Sequence, residues 1–102
     1  MEISWIREKA LGVFQLTDHA EEERLDEDIS IEDIQAALSR AEILEDYATR
    51  KDVRGEACLV LGKDKNGKPI HLVVACVSKE ILRIVTVYIP RPPKWTDERT
   101  RK

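Results

Sequence analysis

The sequence predicts an α+β domain in which two to three N-terminal helices pack on one face of a three- to four-stranded antiparallel sheet. Three observations carry this expectation. Residues 56–90 hold apolar runs at strand periodicity, broken by two short turn signals. Residues 2–40 hold helical spacings and cap signals. The length, 102 residues, suits one unit with a core of modest size, and 42% apolar residues argue against disorder. The chain is read as a single domain over 1–102, with a helical part over 2–40, a sheet over 56–90 and a basic tail over 91–102.

Ile3, Ile6 and Ala10 recur at helical spacing, and Gly12 is a natural stop. Residues 13–16 form a short apolar segment that fits a strand. Thr17 reads as an N-cap, and Asp18, Glu21 and Glu22 suit the positive end of the helix that follows. His19 and Glu23 lie four apart and share a face of that helix, which should fray by Asp28. Ser30 opens the next helix, with Asp33 three residues on as in a capping box. Ile31, Ile34, Ala37 and Leu38 make its apolar stripe, which ends near Ser39 or Arg40. Ile43 and Leu44 are expected to tuck under the sheet, and residues 48–55 read as a polar loop.

The strands follow. Lys65, Asn66 and Gly67 fit a three-residue hairpin loop, with Gly67 free to take positive φ. A short connection between Ser78 and Ile81 sets the next register: Val77 opposite Leu82, Ala75 opposite Ile84, Val73 opposite Thr86, and His71 opposite Tyr88. Alternation then puts Ile70, Leu72, Val74 and Cys76, with Val85 and Val87, on the face toward the helices. Arg83 falls near the edge of that same face. His71, Val73, Ala75, Ile84, Thr86 and Tyr88 lie on the other face. After Pro90 the RPP stretch reads as extended, Trp95 as an anchor that packs the tail back, and Arg99, Arg101 and Lys102 as a basic end.

Charge is segregated along the chain. Residues 17–46 hold 12 acidic and 2 basic side chains, whereas residues 47–102 hold 13 basic and 6 acidic ones. The second half should attract polyanions and the first repel them, unless the two sets are only solvated faces of opposite sign. No apolar stretch approaches the roughly 20 residues of a membrane span, and the N-terminus lacks the basic-then-apolar order of a signal peptide. A cytoplasmic location without membrane contact is expected. Cys58 and Cys76 both sit in apolar strand patterns and read as reduced, buried thiols. No Gly-rich loop precedes a helix and no serine sits in a nucleophile elbow, so no cofactor is expected. A two-histidine, one-carboxylate metal set would require His19, Glu23 and His71 to meet, and nothing in the spacing brings them together; no metal is expected.

Phosphate chemistry is the sharper possibility. Cutting RNA without metal needs a group to take the 2′-OH proton, one to stabilise phosphate charge and one to protonate the leaving oxygen. Histidine and tyrosine suit the proton transfers, and arginine and lysine hold phosphate. His71, Tyr88, Arg91 and Lys63 fill these roles if the tail and the first hairpin fold over the sheet. The bland reading is a strand histidine hydrogen-bonded to its neighbours.

The elements LTDHAEE (16–22), ISIEDI (29–34), LEDY (44–47), CLVLG (58–62), GKPIHLVVA (67–75) and RIVTVYIPRPPKW (83–95) together resemble a family of small prokaryotic proteins of unassigned function, often encoded beside an MqsA-like zinc-finger antitoxin. That family looks like a branch of the RelE-like toxin group, which includes MqsR and BrnT toxins. Its pattern carries over onto His19, Tyr47, Gly62, Gly67, Pro69, His71, Thr86, Tyr88, Pro90 and Trp95. Neighbouring branches have arginines after the HA pair, where this chain has acidic residues such as Glu23, Glu27 and Asp28. The resemblance implies a RelE-like fold, with helices on one face of the sheet and RNA on the other. It further implies a toxin-type endoribonuclease acting on mRNA, free or ribosome-bound, with a zinc-finger antitoxin as protein partner. The expected site is His71, Tyr88, Thr86 and His19 for catalysis, with Arg91, Lys63 and Trp95 holding substrate. The rivals are a non-catalytic protein-interaction module and a single-strand nucleic-acid binder that stacks bases on Tyr88 and Trp95. A catalytic site requires a solvent-reachable histidine in a basic groove; a binding module requires a buried, satisfied His71 and an apolar exposed face.

Overall fold

The computed structural model describes residues 2–12, 14–47, 57–78 and 80–101. The polar stretch expected to be a loop, 48–55, lies outside the described residues. Three helices and five strands follow one another as α1 (Ile3–Lys9), β1 (Phe14–Leu16), α2 (Asp18–Asp26), α3 (Ile31–Ser39), β2 (Glu42–Asp46), β3 (Ala57–Lys63), β4 (Pro69–Ser78) and β5 (Ile81–Tyr88). The strands form one sheet in the order β1-β5-β4-β3-β2. The α+β class holds, but the expected three to four antiparallel strands are corrected to five in a mixed sheet. Phe14, Gln15 and Leu16 pair in parallel with Leu82, Arg83 and Ile84. Ile43 and Leu44 are not beneath the sheet but within edge strand β2, whose pairing with β3 shifts register between Ile43 and Glu45.

The caps form where the side chains dictate. Thr17 Oγ1 accepts from the Ala20 amide at 3.0 Å, opening α2. At α3, Ser30 Oγ accepts from the Asp33 amide and Asp33 accepts from the Ser30 amide, closing a capping box. The β3–β4 hairpin turns at Lys65–Gly67, with Gly67 at φ 81°. Asp64 stiffens it by accepting the Asn66 and Lys68 amides on Oδ1, both at 2.8 Å.

The helices cover one face. Ile6, Ala10, Ala20, Ile34 and Leu38 bury against Val60, Leu72, Val74, Leu82, Ile84 and Val87. Gly62 lets α3 approach β3: a Cβ there would stand 2.6 Å from Ala37 Cα and closer still to the Ala37 carbonyl oxygen. α2 is different, since Ala20 is its buried residue. Polar bonds tie it to the sheet instead. Thr17 Oγ1 donates to the Val85 carbonyl at 3.0 Å, and Glu23 Oε1 accepts from Thr86 Oγ1 at 2.9 Å and the Val87 amide at 3.0 Å. Past the end of β1, α2 therefore satisfies the edge of β5 that would otherwise stand open.

The β4–β5 register matches expectation at His71 with Tyr88 and Val73 with Thr86, then departs. Val74 pairs with Ile84, Ala75 with Arg83 and Cys76 with Leu82. Val85 is the extra residue of a β-bulge. One inserted residue exchanges the faces beyond it. Ile84 joins the helix-side core, whereas Val85 and Arg83 turn to the other face, the reverse of the alternation argument. Neither cysteine is in a disulfide; Cys58 is buried and Cys76 half-buried. Among the described residues no helix is long and apolar enough to cross a membrane.

Candidate functional site

The face away from the helices divides into a roofed part and a groove. The C-terminal segment makes the roof. The RPP stretch is a turn rather than extended chain, closed by the Trp95 amide on the Arg91 carbonyl at 3.1 Å, and its Pro92–Pro93 bond is cis. Residues 95–101 then fold into a small hairpin. Trp95 bridges Arg101, the Thr96 amide donates to the Thr100 carbonyl, and Asp97 Oδ1 accepts the Arg99 and Thr100 amides. Trp95 anchors this hairpin as expected, at 2% exposure.

His71 lies beneath it with 0% exposure. Its Nε2 is 2.6 Å from the Glu98 carbonyl oxygen, an acceptor only, so Nε2 carries the proton. Nδ1 is then the acceptor for the Tyr88 hydroxyl at 3.2 Å. Trp95 packs edge-to-face on the ring at 4.3 Å between centroids. Burial pushes the imidazole pKa below its ordinary value, opposed by the Glu98 carbonyl bond and aided by nearby Arg101. Burial likewise raises the Tyr88 phenol. His71 is a neutral, fully bonded ring that fastens the tail to the sheet.

The other expected site residues fall elsewhere. Thr86 donates to Glu23, and exposed His19 sits with Nε2 3.2 Å from the same carboxylate. Lys63 pairs with Glu98 at 2.5 Å and Arg91 with Glu27 at 2.7 Å. The structure therefore brings His71, Tyr88 and Trp95 together with Lys63 at their margin, gathers Thr86 and His19 at Glu23, and sets Arg91 at the end of α2. The basic tail is not a free polycation. Arg99 pairs with Glu42 at 2.5 Å and Arg101 with Glu45 at 2.8 Å while lying over the Trp95 ring. The segregated charges of the sequence meet across the fold and neutralise one another. Among the described residues no group of three or more His, Cys, Asp or Glu side chains could hold a metal ion.

The remaining open face is a groove of about 520 Å³. Leu59, Val73, Ala75 and Val85 give it an apolar floor, and Arg83, Lys94 and Arg101 stand in its wall. Sequence reasoning missed this groove, because Arg83 reaches it only through the Val85 bulge. It placed Glu23 beside His19 but missed its sheet partners, a strand amide and a hydroxyl that no local pattern exposes. Glu23→Ala is expected to cost about 2 kcal/mol, since it strands the Val87 amide and the Thr86 hydroxyl. Urea unfolding of this variant beside Glu23→Gln checks it: the amide, which keeps an acceptor, should lose clearly less.

Fold and site together define a small α+β protein with a five-stranded mixed sheet, helices on one face and a half-roofed groove on the other. The profile described as "Domain of unknown function (DUF4258)" matches residues 16–89, and the chain belongs to that family. The matched span runs from the last residue of β1 through β5, so it includes Glu23, His71 and the groove floor. No curated protein and no solved structure matches the chain.

Proposed function

We propose that the protein is a non-catalytic interaction module that receives a partner in the groove on the open face of its sheet. The observation that carries this reading is the state of His71. A general acid or base must reach a reacting proton, directly or through one water. His71 is wholly buried, with both ring nitrogens engaged by Tyr88 and the Glu98 carbonyl. The cations expected to hold phosphate, Lys63 and Arg91, are each spent on a carboxylate. The groove beside them is apolar at its floor and of a size typical of binding clefts, roughly 300–1,000 Å³.

A second reading keeps the sequence resemblance to RelE-like toxins, with mRNA as substrate and a zinc-finger antitoxin as partner. One observation favours it: His19 is exposed and its Nε2 lies 3.2 Å from Glu23, which also holds groove-lining Thr86. A solvent-reachable imidazole oriented by a carboxylate suits general-base work. In this reading His19 takes the proton-transfer role assigned to His71 from the sequence.

One experiment separates the two. Purified wild type, His19→Ala and His71→Ala are incubated with total RNA in chelator, and each is melted. The interaction module predicts intact RNA in every arm and a lowered melting point for His71→Ala only. Cleavage that disappears in His19→Ala at unchanged stability establishes the nuclease reading. Cleavage that disappears in His71→Ala at unchanged stability returns the chemistry to His71 and overturns the module.

A further inference from the structure

We infer that the groove takes an extended peptide segment of a partner protein, apolar in its middle and carrying carboxylates at its two flanks. The inference rests on the interaction-module reading and names the chemistry of its partner. Charge complementarity supplies the argument. The chain is net negative at −3, yet among the described residues no aspartate or glutamate lines the groove, while Arg83, Lys94 and Arg101 do. Arg101 is paired with Glu45. Arg83 has only a 3.4 Å contact to the Gln15 side-chain oxygen, and Lys94 lies 5.8 Å from the centre of the Tyr88 ring. Among the described residues, neither Arg83 nor Lys94 has a carboxylate partner, in a fold where Lys63, Arg91, Arg99 and Arg101 all do.

The two uncompensated cations sit at opposite ends of the apolar floor. Arg83 and Tyr88 pair with Ala75 and His71, four positions apart on β4 and roughly 13 Å at ~3.3 Å per residue, and Lys94 stands by Tyr88. Between them lie Val73, Ala75 and Val85, with Leu59 on the next strand. That spacing matches acidic side chains about four residues apart, which alternation puts on one face of an extended segment, with the apolar side chain between them resting on the floor. The Val85 bulge is what brings Arg83 to this end, and bulges commonly re-aim a side chain at a cost in ladder regularity. A single-stranded nucleic acid fits less well. It brings a charge at every nucleotide and needs open aromatic faces. Here Trp95 is buried and Lys94 lies over the Tyr88 ring.

The test selects random octapeptides displayed on phage against the full chain, then measures a fluorescein-labelled synthetic copy of the most enriched peptide by anisotropy. Enriched sequences are expected to carry Asp or Glu on both sides of apolar residues. Arg83→Glu combined with Lys94→Glu should weaken binding at least about tenfold, and a peptide with lysine flanks should regain it on that double variant. Both sites are on the surface, and thermal melts confirm that the variants fold. Val73→Lys fills the floor and should abolish binding. Binding lost in Val73→Lys but indifferent to charge reversal overturns the acidic flanks and leaves the groove reading standing. No enrichment, or binding indifferent to all three substitutions, overturns both. A labelled oligouridine that competes for the groove and binds more tightly than any peptide assigns it to single-stranded RNA and overturns the inference.

Discussion

Gly62→Ala is expected to destabilise the fold by about 3 kcal/mol or more, enough to lower the melting temperature by about 12 °C in a domain of this size. The reason is geometric. Gly62 lies on β3 where α3 crosses, and an added Cβ would stand 2.6 Å from Ala37 Cα and nearer still to the Ala37 carbonyl oxygen. The obstacle is backbone rather than the end of a flexible side chain, so only a displacement of the whole helix relieves it. That displacement would open contacts of Ile34, Ala37 and Leu38, all at 0% exposure. Calorimetry of the variant checks the expectation. A melting point within a few degrees of wild type would show that α3 can shift at little cost.

His71→Ala is the second large effect, expected near 3 kcal/mol. It leaves a cavity under Trp95 and strips the Glu98 carbonyl and the Tyr88 hydroxyl of their partner. The same residue gives stability a pH dependence whose sign follows from burial. The folded pKa is depressed below the unfolded value of about 6.5. Between those two values the unfolded chain binds a proton that the folded one does not, so the contribution is complete above about pH 6.5 and is lost as pH falls toward the depressed value. Arg101 deepens the depression, while Glu45 and Glu98 oppose it. The sequence holds two histidines, so a His19→Gln background leaves His71 as the sole imidazole. Urea unfolding at a series of pH values should show the acid loss in that background and a flatter profile when His71→Gln is added. Trp95 fluorescence, isolated by Trp5→Phe, reports the release of the tail.

Elements governed by local chemistry were legible in the sequence. The Thr17 and Ser30 caps and the Gly67 turn depend on residues within a few positions of one another, and the opposition of His71 to Tyr88 keeps the register of its turn because the shift between Cys76 and Ser78 is undone by the one at Val85. Two features were not legible, each for a physical reason. Val85 carries no mark of a bulge, since valine is ordinary strand composition, and one unmarked residue reverses the faces of Arg83, Ile84 and Val85. Phe14–Leu16 reads as a short apolar segment, but its partner is a strand far along the chain, and parallel pairing leaves no turn between the two to read. The burial of His71 was not legible for a third reason. Sequence put histidine, tyrosine and basic residues in one neighbourhood, which the structure honours for His71 and Tyr88. Whether such a ring is open or sealed depends on where the tail lands, and a backbone carbonyl, that of Glu98, does the sealing. Charge segregation misled in the same way: acidic and basic halves look like separate surfaces until the fold sets Arg99 against Glu42 and Arg101 against Glu45.

The parallel strand at the N-terminal side has a consequence for the order in which the chain is made. Leu16 finds its partner Ile84 only after β5 has been synthesised, and the Thr17–Val85 bond beside it spans 68 residues. At about 5–20 residues per second, translation takes roughly 3–14 s to pass from one to the other. β1 and α2 are thus made well before the strand they close on. With Ala20 as its buried residue, α2 has little apolar surface to hide in that interval, and its tie to the sheet is a carboxylate, Glu23, whose Val87 amide and Thr86 hydroxyl partners are among the last strand residues made.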